Sequence, residues 1–235
     1  MTALEIVELL RSLGSESTKR VLMKHGAQEP FFGVKIEDLQ KLCKKIGVNY
    51  ELALELYDTG ISDAMYLAGL IADDARMTKK DLQRWANGAY WYMLSEYTVP
   101  WVAAGSKHGL ELALKWIESK KEKIAAAGWA TLSSLVAITP DKALDIPELR
   151  KLLDRVGTTI HEQPNRARGA MNCFVIAVGG YVVPLADAAV KTAKAIGKVS
   201  VDMGETSCKV PLATEYIQKI RDRGAIGKKR KSAKC

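Results

Sequence analysis

Apolar residues recur at the three- and four-residue spacing of an α-helix along nearly the whole chain. Asn49 is a residue type that favours helix N-caps, and Gly60 lies where that first helix should end. The apolar stripe between them consists of Leu52, Ala53, Leu56 and Tyr57. Ser62 is the predicted N-cap of a second helix, whose stripe consists of Ala64, Leu67, Ala68 and Ile71. The pattern therefore predicts two helices joined by a short turn.

The same pattern recurs further along the chain. Residues 110–117 and 124–135 repeat it on either side of the charged run 119–123, which is interpreted as an exposed turn. Prolines near predicted helix starts, such as Pro147 after Asp145, support this interpretation because a proline in the first helical turn loses no hydrogen bond. Four later helices are predicted over 146–160, 164–181, 184–196 and 210–222.

Short turns between successive helices favour antiparallel helix pairs. Stacked pairs bury one continuous core and leave one face concave, as in HEAT-type repeat arrays. The sequence therefore predicts an all-α fold over 1–223, a HEAT-like repeat α-solenoid that curves around a concave groove. A compact helical bundle is the alternative that the same pattern allows.

The formal net charge of +8 is concentrated at the C-terminus. Residues 219–235 hold eight lysines or arginines and one acid, which leaves residues 1–218 at +1. A basic segment of this kind is typical of proteins that bind nucleic acid or another polyanion. We therefore expect a basic, disordered tail over 224–235, and a merely solubilising tail is the alternative. The DNA contacts predicted in this segment are Lys228, Lys229 and Arg230.

Composition and motifs narrow the function further. The chain lacks an unbroken run of about 18 apolar residues, and its acidic start differs from the basic start of a signal peptide. These features predict a cytoplasmic protein that does not span a membrane. No CxxC pair occurs, so the cysteines are predicted to be free thiols, and the three widely separated histidines predict no metal site. The cysteines are Cys43, Cys173, Cys208 and Cys235.

Three polar residues stand out in the predicted helix 164–181. Arg166 and Arg168 follow Pro164 at the helix start, where positive side chains oppose the helix dipole but backbone N–H groups attract phosphate. Both arginines are therefore candidate DNA phosphate contacts, and an exposed charged turn is the alternative. Asn172 is polar within an otherwise apolar helix, so it is either a buried hydrogen-bonding residue or a groove contact with DNA.

The segment 202–216 concentrates charged residues between two predicted helices. Cys208 stands beside Lys209, an arrangement that fits a site loop with a reactive thiol. A turn that leads into the last helix is the alternative.

Three stretches before residue 92 carry a family resemblance: EPFFGVKIEDLQKLCKKI at 29–46, ELALELYDTGISDAMYLAGLIAD at 51–73 and MTKKDLQRWANGAYW at 77–91. They resemble bacterial DNA alkylation repair proteins, the HEAT-like repeat alkylpurine DNA glycosylases, and the likeness extends over 15–220. The resemblance implies a C-shaped solenoid that holds duplex DNA in its concave face. It also implies release of N3- or N7-alkylated purines without a metal or a cofactor.

The resemblance also implies a set of site residues. Cleavage of the glycosidic bond places positive charge on the sugar, which a carboxylate can stabilise, and an indole face attracts the cationic base. Family enzymes supply a Trp, an Asp four residues later, an Arg from a following repeat and a second Trp. In this sequence Trp91 matches the first Trp, whereas Ser95 occupies the Asp position. No arginine occurs at 126–129, and Asn172 falls at the second Trp.

Glu96, next to Ser95, is the candidate catalytic carboxylate, although one residue corresponds to a rotation of about 100° around an α-helix. Trp91 is the candidate wall that contacts the base or the sugar. The predicted function is a monomeric member of the DNA alkylation repair family that binds duplex DNA mainly through phosphates, with alkylpurine excision depending on Glu96. A non-catalytic scaffold for a protein or RNA partner is the alternative.

Overall fold

The computed structural model describes residues 1–234, and Cys235, one of the predicted free thiols, lies outside the described residues. Thirteen α-helices and no strand occur in this part of the chain. The helices are α1 (Ala3–Leu13), α2 (Glu16–Lys24), α3 (Ile36–Ile46), α4 (Tyr50–Asp58), α5 (Ser62–Ile71), α6 (Lys79–Gly88), α7 (Val99–Gly105), α8 (Gly109–Trp116), α9 (Glu122–Ile138), α10 (Ile146–Thr159), α11 (Asn165–Tyr181), α12 (Ala186–Ile196) and α13 (Ala213–Asp222). A π-helix, Met93–Thr98, directly precedes α7.

Side-chain caps begin several of these helices. Asn49 Oδ1 accepts a hydrogen bond from the Leu52 amide at the start of α4 (3.1 Å), as predicted. Asp145 Oδ1 accepts one from the Glu148 amide at the start of α10 (3.0 Å). The prediction that Ser62 caps α5 is wrong, because Ser62 is the first helical residue and its hydroxyl binds a side chain of a later repeat.

Successive helices form pairs that stack side by side. α4 packs against α5 and α8 packs against α9, while α9 also contacts the second helices of the neighbouring pairs, α7 and α11. Two clusters of buried apolar side chains run through the stack, one mainly in the N-terminal repeats and one in the C-terminal repeats. This arrangement confirms the predicted all-α, HEAT-like solenoid, and the alternative of a compact bundle is wrong.

A glycine allows the central helix pair to pack closely. Gly128 on α9 faces α8, and a Cβ atom at this position would lie 2.7 Å from the Ile117 nitrogen and 2.9 Å from the Ala113 carbonyl oxygen. Both atoms belong to the backbone of the neighbouring segment, so a larger residue would push α8 away from α9.

The later helices agree with the predicted ranges. The four predicted helices between 146 and 222 correspond to α10 to α13, and each ends within one residue of its predicted end. Over residues 1–234, no single helix is both long and apolar enough to cross a membrane. Two successive segments, Asn165–Tyr181 and Val183–Ile196, reach that length and hydropathy only when they are taken together. The chain bends by 117° between them.

The link between α12 and α13 reaches back to the N-terminal helices. The Asp202 amide donates to Asn165 Oδ1 (2.6 Å), and Asn165 Nδ2 donates to the Asp202 carbonyl (3.0 Å). The Glu205 amide donates to the Lys24 carbonyl at the end of α2 (3.1 Å). Gly204 has a φ of +72°, and a Cβ there would lie 2.5 Å from that same carbonyl oxygen. This link therefore connects the first repeats to the last ones.

Residues 224–234, called the C-terminal strap below, pack against the body of the protein. The Gly227 amide donates to the Gly180 carbonyl in α11 (2.9 Å), and the Arg230 amide donates to the Ala137 carbonyl in α9 (2.8 Å). The strap therefore crosses the C-terminal ends of two second helices.

Side chains hold the strap in the same place. Lys229 Nζ lies 2.8 Å from Asp141 Oδ1, and Lys234 Nζ lies 2.7 Å from Asp74 Oδ1. Ala233 is buried in the N-terminal core. Residues 224–234 thus differ from the disordered tail expected over 224–235, because carboxylates and helix carbonyls of the body bind their basic side chains.

Candidate nucleic-acid interface

A recess opens on the face formed by α7, α9 and α11, the second helices of three successive pairs. It has a volume of about 230 Å³ and is called the central recess below. Small side chains of α9 and α11 form two of its walls, and the π-helix and α7 add aromatic rings. These residues include Ala130, Ala137, Ala170, Ala177, Tyr97 and Trp101.

A second recess of about 270 Å³, called the polar recess below, lies on the other side of Arg166. It is bounded by residues after α2, by the segment before the π-helix, by the start of α9 and by the link between α12 and α13. Its lining includes His25, Tyr92, Lys123, Arg166 and Met203.

Glu96 and Arg166 form the wall between the two recesses. Arg166 Nε donates to Glu96 Oε1 (2.6 Å), and Arg166 Nη2 donates to Glu96 Oε2 (2.8 Å). The side chains of Arg166 and Glu96 are 21% and 11% exposed. The Arg166 guanidinium also lies 4.5 Å from the centroid of the Tyr92 ring. A bidentate ion pair of this kind fixes both side chains in one orientation.

The π-helix brings Glu96 to this wall. The Val99 amide donates to the Leu94 carbonyl, the i→i+5 pattern that defines a π-helix. The turn that starts at Trp91 is α-helical, since the Ser95 amide donates to the Trp91 carbonyl (3.1 Å). Ser95 is buried, and its hydroxyl donates to the same carbonyl (3.4 Å). Glu96, the next residue along, lies within the π-helix and binds Arg166.

Burial and charge shift the pKa values in this cluster. Burial raises the pKa of Glu96, and the hydrogen bonds from Arg166 oppose this shift. Burial lowers the pKa of Arg166, but the hydrogen bonds and charge of Glu96 outweigh it and the pKa is raised. Burial also raises the pKa of Tyr97 to about 12. The Arg166 guanidinium therefore stays charged throughout the physiological pH range.

Trp91 lies at the edge of the polar recess and is 6% exposed. Its Nε1 donates to Ser62 Oγ (2.6 Å), and its ring meets the Tyr92 ring edge-to-face with 5.2 Å between centroids. Because so little of the residue is exposed, the geometry does not support the stacking role predicted for Trp91.

Asn172 is fully buried in α11. Its Nδ2 donates to the Pro211 carbonyl in the link before α13 (2.9 Å). The first alternative, a buried hydrogen-bonding residue, is therefore correct, and the predicted DNA contact of Asn172 is wrong because the side chain cannot reach solvent.

The two arginines at the start of α11 do not act together. Arg168 lines neither recess, and its Nη1 donates to the His161 carbonyl (3.4 Å). Residues two apart on an α-helix point in nearly opposite directions, which separates Arg168 from Arg166. A groove contact from Arg168 therefore lacks structural support.

The three basic strap residues that were predicted to bind DNA differ in their surroundings. Lys228 is exposed, whereas the Lys229 ammonium is paired with Asp141 and donates to the Val136 carbonyl (2.8 Å). Arg230 lines the central recess. Arg230 is thus the member of this group that the structure brings closest to Glu96.

Two residues of the charged run 119–123 belong to the site, although the sequence predicts an exposed turn there. Glu122 Oε1 accepts a hydrogen bond from the Arg166 amide (2.6 Å), and Lys123 Nζ donates to the Tyr90 carbonyl. Alternating charges give no indication of such a role. Their approach to Arg166 follows from the packing of α9 against α11, which local sequence does not reveal.

The remaining candidate chemistry is sparse. Over the described residues 1–234, no group of three or more His, Cys, Asp or Glu side chains could hold a metal ion. Cys208 is exposed in the link before α13, and Cys173 is exposed where it lines the central recess. Desolvation of the thiol within the recess raises the pKa of Cys173 to about 11, and the charge of Glu96 adds to this shift.

Fold and site together define a HEAT-like repeat solenoid whose inner face carries a carboxylate–arginine pair. A family model described as "DNA alkylation repair enzyme" matches residues 6–217. The chain therefore belongs to the DNA alkylation repair family, as its sequence indicates.

Two bacterial relatives are similar over most of the chain. Uncharacterized protein Lin0241 of Listeria innocua is 35% identical over 220 residues, which cover 91% of this chain and 95% of the relative. Uncharacterized protein Lmo0209 of Listeria monocytogenes is 34% identical over the same shares of both chains.

One solved structure is similar over 100% of both chains, with 41% sequence identity and a TM-score of 0.91. It is described as "a new family of proteins related to the HEAT-like repeat DNA glycosylases with affinity for branched DNA structures". At this identity the two proteins share the whole helical framework.

Proposed function

We propose that this protein binds DNA, with a preference for branched DNA, through phosphate contacts on its inner face, and that it does not excise alkylated bases. The observation that carries the proposal is the likeness, over the full length of both chains, to the solved protein of a family with affinity for branched DNA. Because that likeness includes α7, α9 and α11, it supports a shared binding face.

The charge of the molecule supports a polyanionic ligand. The formal net charge is +8. Arg230 lines the central recess, and Lys123 and Arg166 line the polar recess, so basic side chains occur on both sides of the Glu96–Arg166 wall. Contacts of this kind bind the DNA backbone without sequence preference.

The surroundings of Glu96 argue against base excision. A carboxylate that stabilises a developing sugar cation must be able to approach it with its charge available. Both oxygens of Glu96 instead accept hydrogen bonds from Arg166, and the guanidinium offsets the carboxylate charge. The buried Ser95 hydroxyl carries no charge that could replace it. Glu96 therefore has no catalytic role in this proposal.

A salt titration tests the proposal. Fluorescence anisotropy would compare a four-way DNA junction with a linear duplex of the same length. We expect tighter binding of the junction, with log K falling linearly as log salt rises. Lys123→Gln and Arg230→Gln should each reduce that slope by about one unit. Lys80→Gln, which removes a charge from an exposed position on α6, is the matched control and should leave the slope unchanged.

Three outcomes would contradict the proposal. Failure to bind either DNA at low salt would favour a scaffold for a protein partner. Tighter binding of an RNA duplex of the same sequence would indicate an RNA-binding protein. Release of 7-methylguanine from methylated duplex DNA, abolished by Glu96→Gln, would restore the glycosylase function.

A further inference from the structure

We infer that Glu96 is an internal competitor for DNA phosphate: it holds Arg166 in an ion pair that a backbone phosphate must displace. The inference rests on the proposed DNA-binding function, and in it Glu96 limits the affinity for DNA. It predicts that removing the Glu96 charge strengthens DNA binding, which is the opposite of what a catalytic or DNA-contacting residue would show.

The geometry of the pair carries this inference. A guanidinium binds the two oxygens of a carboxylate and two oxygens of a phosphate with the same pair of parallel N–H groups. In Arg166, Nε and Nη2 are both used by Glu96, while Nη1 lies 3.8 Å from the Met203 sulfur. The fork that would bind a phosphate is therefore filled by a carboxylate of the chain itself.

The position of the pair makes exchange with DNA feasible. Arg166 lines the polar recess, and 21% of its side chain is exposed, whereas Glu96 lines the central recess behind it and is 11% exposed. A phosphate that enters the polar recess would thus reach the guanidinium, and to bind Nε and Nη2 together it would have to take these donors from Glu96. Lys123 lines the same recess, where its charge and that of Arg166 stand beside the acids Glu122 and Asp202.

A purely structural role accounts less well for the pair. Desolvation offsets much of the attraction between buried charges, so a buried ion pair contributes little net stability compared with uncharged groups of similar shape. The backbone at the start of α11 is held separately, since Glu122 accepts the Arg166 amide hydrogen bond and Asn165 binds Asp202. Neither contact requires the Glu96 charge.

The test is a double-mutant cycle on affinity for a four-way DNA junction at fixed salt. Glu96→Gln keeps the shape and one hydrogen-bond acceptor but releases the charge, and we expect about three- to tenfold tighter binding. Arg166→Gln should weaken binding. In the Arg166→Gln background the further change Glu96→Gln should have no effect, because the competition no longer exists.

A charge control separates competition from general repulsion. Glu162→Gln removes an equal charge from an exposed residue close to the start of α11 and should change affinity less than twofold. Glu96→Ala provides a second variant in which the acceptor is also absent, and it should bind at least as tightly as Glu96→Gln. Thermal unfolding of each variant identifies any that does not fold.

The outcomes distinguish this inference from the proposed function. If the natural protein binds the junction but neither Glu96 variant binds more tightly, the inference is wrong and the proposed function stands. An equal gain with and without Arg166 also overturns it, since the effect would then be general repulsion. If the natural protein binds no DNA at all, the proposed function fails and the inference fails with it.

Discussion

The indole Nε1 of Trp91 donates a hydrogen bond to the Ser62 hydroxyl across 2.6 Å, and both residues are buried. Ser62 is the first residue of α5, and Trp91 lies just before the π-helix. The bond therefore joins two neighbouring repeats directly behind the turn that carries Glu96.

Trp91→Phe tests the structural importance of this bond. The phenyl ring removes the donor to the buried Ser62 hydroxyl, so we expect the free energy of unfolding to fall by about 1–3 kcal/mol. Urea unfolding measures this loss. DNA affinity of the folded variant should change less than twofold, because only 6% of Trp91 is exposed. A large loss of affinity at unchanged stability would instead support the stacking role.

Removal of the C-terminal strap should destabilise the whole solenoid. Deletion of 224–235 eliminates the Lys234–Asp74 ion pair, the Lys229–Asp141 ion pair and the burial of Ala233. Together these contacts are expected to contribute about 2 kcal/mol, measured as a lower midpoint in urea. Lys231→Ala changes an exposed strap residue and serves as the control. An unchanged midpoint in the truncated protein would contradict the observed packing.

Local sequence was sufficient to predict the helices and their stacking. The Asn49 cap, the placement of Asp145 and Pro147 and the apolar stripes depend on residues at most a few positions apart. Each therefore leaves a pattern in the sequence. A single helix pair leaves an apolar face uncovered, and this face is buried when the pair stacks against its neighbour. The stacked fold follows from this requirement.

The candidate site was harder to predict because its contacts join distant segments. Arg166 and Glu96 are 70 positions apart. The π-helix that directs Glu96 has no compositional pattern that distinguishes it from an α-helix. The packing of the strap was missed for the same reason, because its lysines bind carboxylates that only the folded chain brings near. The burial of Asn172 was also not predictable, since its partner Pro211 lies 39 positions away.

Cys173 should react slowly with alkylating reagents although it is exposed in the central recess. Desolvation within the recess raises the pKa of its thiol to about 11, and Glu96 adds to this effect. Only about one molecule in a thousand would hold the reactive thiolate at pH 8. We expect iodoacetamide to modify Cys208 at least ten times faster than Cys173, as measured by mass spectrometry of the peptides, although both thiols are exposed. Equal rates would contradict the assigned environment, and Glu96→Gln should accelerate the Cys173 reaction.

Glu96 should give a distinctive pH dependence of stability. Burial raises its pKa in the folded protein above the value in the unfolded chain, so the folded state binds a proton more readily. The resulting stabilisation is fully present below the ordinary glutamate pKa and is lost as the pH rises through the raised value. As the pH rises above the ordinary glutamate pKa, the natural protein should therefore lose stability relative to Glu96→Gln, measured as the difference between their free energies of unfolding.

Glu111 provides a control of opposite sign for this experiment. Its hydrogen bond with Lys79 lowers the pKa of the Glu111 carboxyl, so its stabilisation is present above the ordinary value and is lost as the pH falls. Urea unfolding over the same pH range should thus show that the natural protein gains stability relative to Glu111→Gln as the pH rises. If the Glu96 and Glu111 variants follow the same trend, burial does not govern the ionisation of Glu96, and the ion pair with Arg166 does.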